Sequence, residues 1–320
     1  MTKMTRKLTS IILAAGVLFT LAACARSVEK GGGEELSVVV TTDALYELVT
    51  IIGGGRIAVL NLVGNAEPHD FEPKPRDLEV AMSADLFIYN GLGLDDWAER
   101  INVANKLAAS DAAAHPLEIG AEHDHGHDHD DHDHDDEEEH DGHDHGHHHH
   151  EGGYDPHLWL SPSEAADMAV LIANRLAELD ETGREEYLAS CGVFVAQMDA
   201  LSQEFAEKFA ASQRKTFVTG HAALGYLARY FGLTQLSVSD VFASGEPTAK
   251  QLAELAVFCR ENNVSVVLAE EAPSKDATLT LARECGASVV VIYTMERAED
   301  GLGFVERMRH NLESVLLALG

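Results

Sequence analysis

The sequence is poor in basic and in aromatic residues. Its 23 Lys and Arg stand against 54 Asp and Glu among 320 residues, which gives a formal net charge of −31. A chain so short of cations is unable to neutralise a phosphate backbone, so an ordinary nucleic-acid-binding protein is excluded. Aromatic residues make up 6 % of the chain, and this low content argues against a surface that recognises sugars or bases by stacking.

Cysteine is equally scarce, with four residues in the whole chain. Four cysteines in a chain of this length do not make a disulfide framework. Cys24 lies in the N-terminal segment, whereas Cys191, Cys259 and Cys285 lie in the body of the protein. Two interpretations stay open for the latter group: one disulfide between Cys259 and Cys285, or buried free thiols.

The N terminus carries a long apolar run. Basic residues precede Leu8–Ala22, which has the length of a secretion-signal core and is too short to span a bilayer comfortably. The run ends in Leu-Ala-Ala directly before Cys24, a sequence that resembles a bacterial lipobox. We therefore predict a lipoprotein signal over 1–24, with a diacylated Cys24, and a polar tether over 25–35. This places the protein on the outer face of the cell membrane, held by lipid; a plain secretory signal is the alternative.

Nearly half of the net negative charge lies in one short tract. Between Glu122 and Glu151 there are 14 acidic residues, 13 histidines and no Lys or Arg, and the rest of the chain has 40 acidic against 23 basic residues, or −17. The tract has no apolar periodicity, so we predict a disordered insertion over 121–153. Neutral imidazoles bind zinc, and the carboxylates concentrate cations nearby. We interpret the tract as an auxiliary metal loop that either delivers or stores ions, with a solvated linker as the alternative. Its histidines are His123, His125, His127, His129, His132, His134, His140, His143, His145, His147, His148, His149 and His150.

The rest of the chain alternates β-branched runs with helical patterns, beginning with the strand-like run Leu36–Thr41. This alternation is typical of α/β folds with parallel sheets. We predict an N-terminal α/β lobe over 36–182, which contains the acidic insertion, and a C-terminal α/β lobe over 212–320. The pattern over 183–211 predicts a linking helix about 44 Å long, enough to run along both lobes.

Two local predictions concern helices of the N-terminal lobe. Leu94–Ala108 has a helical pattern and is predicted to form one continuous helix. Ser161 precedes Pro162 and is predicted to cap the next helix, with Glu164 completing a capping box.

Five histidines lie outside the acidic tract. His69, His157 and His221 stand in loop-like positions after a strand or before a helix. Ligands of open α/β sheets bind beyond the carboxyl ends of the strands, so these three side chains converge on one site if the lobes face each other. Three neutral imidazoles with one further ligand are typical of zinc sites. His115 and His310 are interpreted as ordinary surface or packing residues.

The segments around these three histidines resemble the motifs of a known family. They read Pro-His-Asp-Phe-Glu-Pro-Lys-Pro at His69, Asp-Pro-His-Leu-Trp-Leu-Ser-Pro at His157 and Gly-His-Ala-Ala-Leu-Gly-Tyr at His221. The family comprises the zinc/manganese-type solute-binding lipoproteins of bacterial ABC transporters, known as cluster A-I. The resemblance covers nearly the whole mature chain. It implies two Rossmann-like lobes joined by a rigid backbone helix, with the metal in the cleft between the lobes.

The same resemblance implies that His69, His157 and His221 are the metal ligands. Manganese-specific members of the family tend to have Glu at the third position. This chain has His221 there, so the resemblance favours the zinc-specific branch, with Zn²⁺ rather than Mn²⁺ as the ion.

The fourth ligand is the point at which the chain departs from the family pattern. Family members often supply a carboxylate shortly after the last strand, and the matching residue here is Met295, with Glu296 as its neighbour. Met295 is interpreted as a packing residue, because a thioether is a poor zinc ligand. Water is the first choice for the fourth ligand, followed by Glu67 near His69 and then by Glu270 at the end of the preceding strand.

Together these features predict a monomeric, non-enzymatic protein that captures Zn²⁺ and delivers it to the permease and ATPase of an ABC importer. A manganese transporter component is the nearest alternative. A surface metal buffer or adhesin-like protein, with the acidic tract as its active part, is an alternative of another class. A zinc hydrolase is disfavoured because the sequence has no His-Glu-x-x-His motif, no nucleophile elbow and no evident general base beside a histidine.

Overall fold

The computed structural model describes residues 35–119, 153–242, 247–270, 275–298 and 301–320. The predicted signal with Cys24, nearly all of the tether and all histidines of the acidic tract lie outside the described residues. Among the described helices, none combines the length and the apolar character needed to cross a membrane.

The first lobe is built on a four-stranded parallel sheet in the order β2-β1-β3-β4. Its central strand is buried on both faces, since Val38 and Val40 face the main core and Val39 packs in a smaller core on the opposite face. Burial on both faces explains why the strand is a continuous run of β-branched residues. The elements are β1 (Leu36–Val40), α1 (Asp43–Gly53), β2 (Ile57–Asn61), α2 (Pro75–Ser83), β3 (Leu86–Tyr89), α3 (Asp96–Arg100), β4 (Lys106–Ala108) and α4 (Pro162–Leu179).

The second lobe repeats this plan with a parallel sheet in the order β6-β5-β7-β8. Strand β7 is buried along its whole length, again as expected for a strand covered on both faces. The elements are β5 (Thr216–His221), α6 (Gly225–Phe231), β6 (Thr234–Ser239), α7 (Ala249–Glu261), β7 (Val266–Glu270), α8 (Lys275–Cys285), β8 (Ser288–Ile292) and α9 (Phe304–Leu319).

A single long helix, α5 (Arg184–Ala211), packs against both lobes. Its 28 residues span about 42 Å at 1.5 Å per residue. Tyr187, Phe194 and Phe205 are fully buried along it, and it contacts α1 and α4 of the first lobe and α6 and α9 of the second. One apolar core therefore runs from β1 to α9 without interruption. The predicted fold class, two α/β lobes joined by a long helix, is confirmed.

The predicted helix over Leu94–Ala108 is wrong, because the segment forms the short helix α3 and the edge strand β4 instead. Lys106 causes the break: its Nζ donates to the carbonyls of Ala98, Glu99 and Ile101, at 3.2, 2.8 and 3.1 Å. These bonds take up carbonyl groups that a longer helix would have used.

The capping box at Ser161 is also wrong. Ser161 does occupy the N-cap of α4, but its side chain makes no capping hydrogen bond. Glu164 accepts a hydrogen bond from Arg229 of the second lobe at 3.0 Å instead.

The three cysteines in the body of the protein are free thiols in the structure. Of the two interpretations left open by the sequence, the structure has the free thiols. Cys191 and Cys259 are buried, and Cys285 is partly buried at the end of α8.

Candidate metal centre

His69 lies in the proline-rich loop between β2 and α2. The loop is held against the first lobe partly by Phe71, whose ring centroid lies 5.7 Å from that of Trp97. Prolines within the loop restrict its backbone. As a result the His69 imidazole is held in the cleft, with only 7 % of its side chain exposed.

His157 follows the segment that re-enters the first lobe, and it is completely buried. Asp155 Oδ1 accepts two hydrogen bonds from this residue, one from the backbone N at 2.9 Å and one from the ring Nδ1 at 2.8 Å. The carboxylate therefore fixes the ring orientation and keeps the proton on Nδ1. Nε2 consequently points into the cleft, where it is buried and has no well-aligned hydrogen-bond partner among the described residues.

His221 is the last residue of β5 and enters the cleft from the second lobe. Its backbone N donates to Glu270 Oε1 at 2.9 Å, and its ring Nε2 donates to the carbonyl of Val241 at 2.7 Å. Gly220 is required before it, because a Cβ at that position would lie 2.7 Å from Thr278 Oγ1 and 2.8 Å from Glu270 Oε2. The end of β5 is therefore closely packed against Thr278 and Glu270 beside His221.

The structure brings the three imidazoles together. Their ring centroids lie 5.4 Å apart for His69 and His157, 5.7 Å for His69 and His221, and 4.8 Å for His157 and His221. One nitrogen from each ring lies within 4.8 Å of the other two. Two segments of the first lobe and the end of β5 in the second thus place nitrogen donors around one point in the cleft.

Glu296 contacts two of the three imidazoles. Its Oε1 lies 3.3 Å from Nε2 of His69 and 3.3 Å from Nε2 of His157. The residue is nearly buried and follows Met295, which adopts a left-handed backbone with φ of 56°. Met295 itself is fully buried among apolar residues, in line with its interpretation as a packing residue.

The carboxylates that the sequence ranked as fourth ligands have other partners. Glu270 accepts from the backbone N of His221, which makes it a support for that histidine. Glu67 forms an ion pair with Arg297, although one of its oxygens lies within 4.8 Å of His69 and Glu296 atoms. With 33 % of its side chain exposed, Glu67 lies at the rim of the cluster.

Phe242 covers one side of the cluster. Its ring lies perpendicular to that of His69, with centroids 5.9 Å apart. It reaches across the cleft to the first lobe, where a Cβ on Gly93 would lie 3.2 Å from its ring. An aromatic ring in this position limits the access of water to the imidazoles.

The other two histidines lie away from the cluster, as predicted. His115 is exposed, and its carbonyl accepts from Arg229. The ring of His310 is 2.9 Å from the carbonyl of Val291 and packs on Tyr293.

Comparison with known proteins identifies the family. Residues 38–317 match the profile described as zinc-uptake complex component A, periplasmic (ZnuA). The chain belongs to the ZnuA family. It is 36 % identical over 310 residues to the putative metal-binding protein of Treponema pallidum, covering 95 % of this chain and 94 % of that protein. It is 32 % identical over 326 residues to the high-affinity zinc uptake system protein ZnuA of Bacillus subtilis, covering 98 % of each.

Solved structures agree with this membership in the ZnuA family. The laminin-binding protein Lmb of Streptococcus agalactiae superposes with a TM-score of 0.75 at 28 % identity, covering 89 % of this chain and 100 % of that chain. That protein is described as bifunctional, with adhesin and metal-transporting activity. The two-lobed architecture of the ZnuA-family chain is therefore shared along almost its whole described length.

In this ZnuA-family protein, burial and neighbouring charges shift the pKa values of His157, Glu296 and His221. Burial favours a neutral His157, but the hydrogen bond to Asp155 and the contact with Glu296 outweigh it and raise the pKa of His157 to about 9. Burial likewise disfavours the ionised form of Glu296, yet its contacts with His157 and His69 hold its pKa well below the usual range. Burial, and next the charge on His157, lower the pKa of His221 to about 4. At neutral pH, His157 and Glu296 are therefore an ion pair beside a neutral His221.

This arrangement links metal binding to protons. A metal ion requires the unprotonated nitrogen of His157, whereas that nitrogen carries a proton below about pH 9 in the metal-free protein. The proton on His157 therefore competes with a cation, and the apparent affinity for a cation is expected to fall as the pH falls. A cation bound to this nitrogen would replace the proton opposite Glu296, and the carboxylate would keep a positive partner.

Proposed function

We propose that the protein is the zinc-capturing component of an ABC-type importer. The observation that carries this proposal is the convergence of His69, His157 and His221 on one point of a buried interlobe cleft, where Glu296 contacts two of the three rings. Three imidazoles and one carboxylate are a donor set that suits a four-coordinate Zn²⁺. The chain's membership in the ZnuA family supports the same ion as cargo.

The donor set also supports zinc over manganese. Mn²⁺ prefers carboxylate, carbonyl and water ligands in octahedral geometry. The cluster offers three nitrogens and one contacting carboxylate, a donor set unlike the one that Mn²⁺ prefers. We propose that Glu296, rather than water, Glu67 or Glu270, completes the site.

A binding role is supported over an enzymatic one by the same geometry. A catalytic zinc site keeps one position open for water or substrate. Glu296 would fill that position, and Phe242 covers one side of the cluster. We propose that the protein is a monomeric carrier that hands its ion to a permease and ATPase complex.

The location of the protein follows from the same proposal. Family members are described as periplasmic, and the N-terminal sequence up to Cys24 suits a lipoprotein signal. We propose that the segment before Cys24 within the 1–24 signal is removed, that Cys24 is lipidated and that 25–35 tethers the two lobes to the outer face of the membrane.

The histidines within 121–153 act as an auxiliary loop that captures several ions weakly. An additional adhesin role, as described for Lmb of S. agalactiae, is a second candidate that a laminin-binding assay tests.

Zinc and manganese competition tests the cleft site separately from the acidic tract. A variant lacking 121–151 is titrated with Zn²⁺ against a chelator of known affinity and then with Mn²⁺ at matched free-ion levels. We expect one tight zinc ion per chain and no displacement by manganese. The full-length chain should show additional, weaker zinc sites. If the deletion removes tight binding, the tract is the functional site and the cleft assignment is wrong; if manganese displaces zinc, the assignment of the ion is wrong.

A further inference from the structure

The turn Thr294–Arg297 belongs to the second lobe by sequence, but residues of the first lobe hold it. The carbonyl of Thr294 accepts a hydrogen bond from Trp159 Nε1 at 2.7 Å. The carbonyls of Met295 and Glu296 accept from the backbone N–H groups of Ala44 and Asp43, at 2.9 and 3.3 Å. The N-terminus of α1 is thus seated directly on the turn that carries Glu296.

A buried ion cluster fastens the same helix to the second lobe. Arg307 of α9 is fully buried, and its Nη2 lies 3.1 Å from Asp43 Oδ2 and 2.6 Å from Glu47 Oε2. Its Nη1 also donates to the carbonyl of Arg297 at 3.5 Å. One guanidinium therefore contacts both α1 and the turn. Buried ion pairs contribute little net stability relative to apolar packing, so stability alone gives no reason for a charged cluster here.

The turn needs such support because its backbone is strained. Met295 has a φ of 56°, a left-handed conformation that costs a non-glycine residue energy and persists only where the surroundings impose it. This turn directs the Glu296 side chain back into the cleft. There Oε1 contacts both His69 and His157, and Oε2 accepts from Thr294 Oγ1 at 3.3 Å.

We propose that Arg307, together with Asp43 and Glu47, is a positioning group for the metal site. It fixes the N-terminus of α1 on the turn and thereby sets the position of Glu296 relative to His69 and His157. The inference rests on the proposed zinc-binding function. It implies that Glu296, His69 and His157 form one preorganised half of the site before metal binds. Strand β5 then adds His221. Preorganisation raises affinity because less ordering is needed on binding.

Zinc affinity in Glu47→Gln tests this role, with Asp43→Asn as a second variant. Both substitutions keep side-chain volume and remove one charge facing Arg307, and neither side chain contacts the imidazoles or the Glu296 carboxylate. We expect zinc affinity to fall about 10- to 100-fold, as is usual when outer partners of a ligand are changed. The visible absorption of the Co²⁺-loaded protein should shift toward that of Glu296→Gln. In Glu47→Gln and Asp43→Asn the Glu296 carboxylate is displaced from the ion, and in Glu296→Gln an amide replaces it.

A double-mutant cycle separates positioning from a general loss of stability. In the Glu296→Gln background, Glu47→Gln should cause no further loss of affinity, since the residue it positions is already changed. Arg56→Gln is the matched control: it breaks an ion pair with Asp180 at 2.9 Å at the far end of α1. This control should lower the melting temperature and leave zinc affinity and the Co²⁺ spectrum unchanged.

Three results distinguish the possible failures. Wild-type affinity and spectrum in both Glu47→Gln and Asp43→Asn overturn the positioning role, and so does a loss of the same size in the Glu296→Gln background. Either result leaves the proposed function intact as long as the wild-type protein binds zinc and His157→Ala does not. If the wild-type protein binds no zinc, the proposed function fails and the positioning role fails with it.

Discussion

His157→Ala is expected to abolish tight zinc binding, with a loss of at least about a thousandfold, or about 4 kcal/mol. His157 is the most buried member of the cluster and lies 3.3 Å from Glu296. Alanine removes a nitrogen donor that Asp155 holds in place, and it leaves two buried carboxylates, those of Asp155 and Glu296, without their positive partner. An uncompensated buried charge is costly, so the remaining groups are expected to rearrange rather than to keep the site geometry.

Competition against a zinc chelator measures this loss in protein lacking 121–151, so that weak binding by the acidic tract does not mask it. His115→Ala is the matched control, because His115 is exposed and lies away from the cluster. It should bind zinc with wild-type affinity. Tight binding retained in His157→Ala would show that the ion is held elsewhere.

Glu296→Gln is expected to weaken zinc binding about 100-fold, equivalent to about 2.8 kcal/mol. The amide keeps the shape of the side chain but loses the charge that complements the cation. Part of the loss is offset, because contact with Glu296 also raises the pKa of His157. Removing that charge lowers the pKa of His157 and so reduces the competition from its proton. Calorimetry in buffers of different ionisation enthalpy should show about one proton released per zinc at pH 7 in the wild-type protein and less in the variant.

Glu67→Gln is the informative comparison for this prediction. Glu67 lies at the rim of the cluster, and its partner is Arg297, so its substitution should change zinc affinity by less than tenfold. A larger loss in Glu67→Gln than in Glu296→Gln would make Glu67 the fourth ligand.

The sequence was sufficient to predict the architecture and the histidines of the candidate site. Continuous β-branched runs such as Val38–Val40 mark strands buried on both faces, and the long polar-apolar pattern predicts α5. His69, His157 and His221 follow strand ends or precede helices, and such positions face one edge of each sheet. The structure brings the three side chains together because that edge is the interlobe cleft.

The carboxylate at the cluster was not predictable in the same way. Family likeness pointed to Met295, one residue before Glu296, and residue types alone do not show the left-handed turn at Met295 that directs its neighbour into the cleft. That turn depends on hydrogen bonds from Trp159 and α1, which are distant in sequence. A signal was present nonetheless, since Glu296 is the nearest carboxylate to the position where the family has one.

Local misassignments had a similar cause. The end of α3 is set by Lys106, whose ammonium group binds three carbonyls at the helix end, and Glu164 is drawn from its capping role by Arg229 of the other lobe. In both places a long cationic side chain from elsewhere supplies a partner that local propensity does not include. Such tertiary contacts decide element boundaries more often than they decide element types.

X-ray absorption at the zinc edge tests the central claim most directly. The sample is protein lacking 121–151, loaded with one zinc ion per chain, so that the spectrum reports a single site. We expect three imidazole nitrogens at about 2.0–2.1 Å and one carboxylate oxygen at about 2.0–2.2 Å. Glu296→Gln should change the oxygen contribution and leave the imidazoles in place. A spectrum with fewer than three imidazoles, or with sulfur at about 2.3 Å, would contradict the assignment of His69, His157, His221 and Glu296 as the zinc ligands.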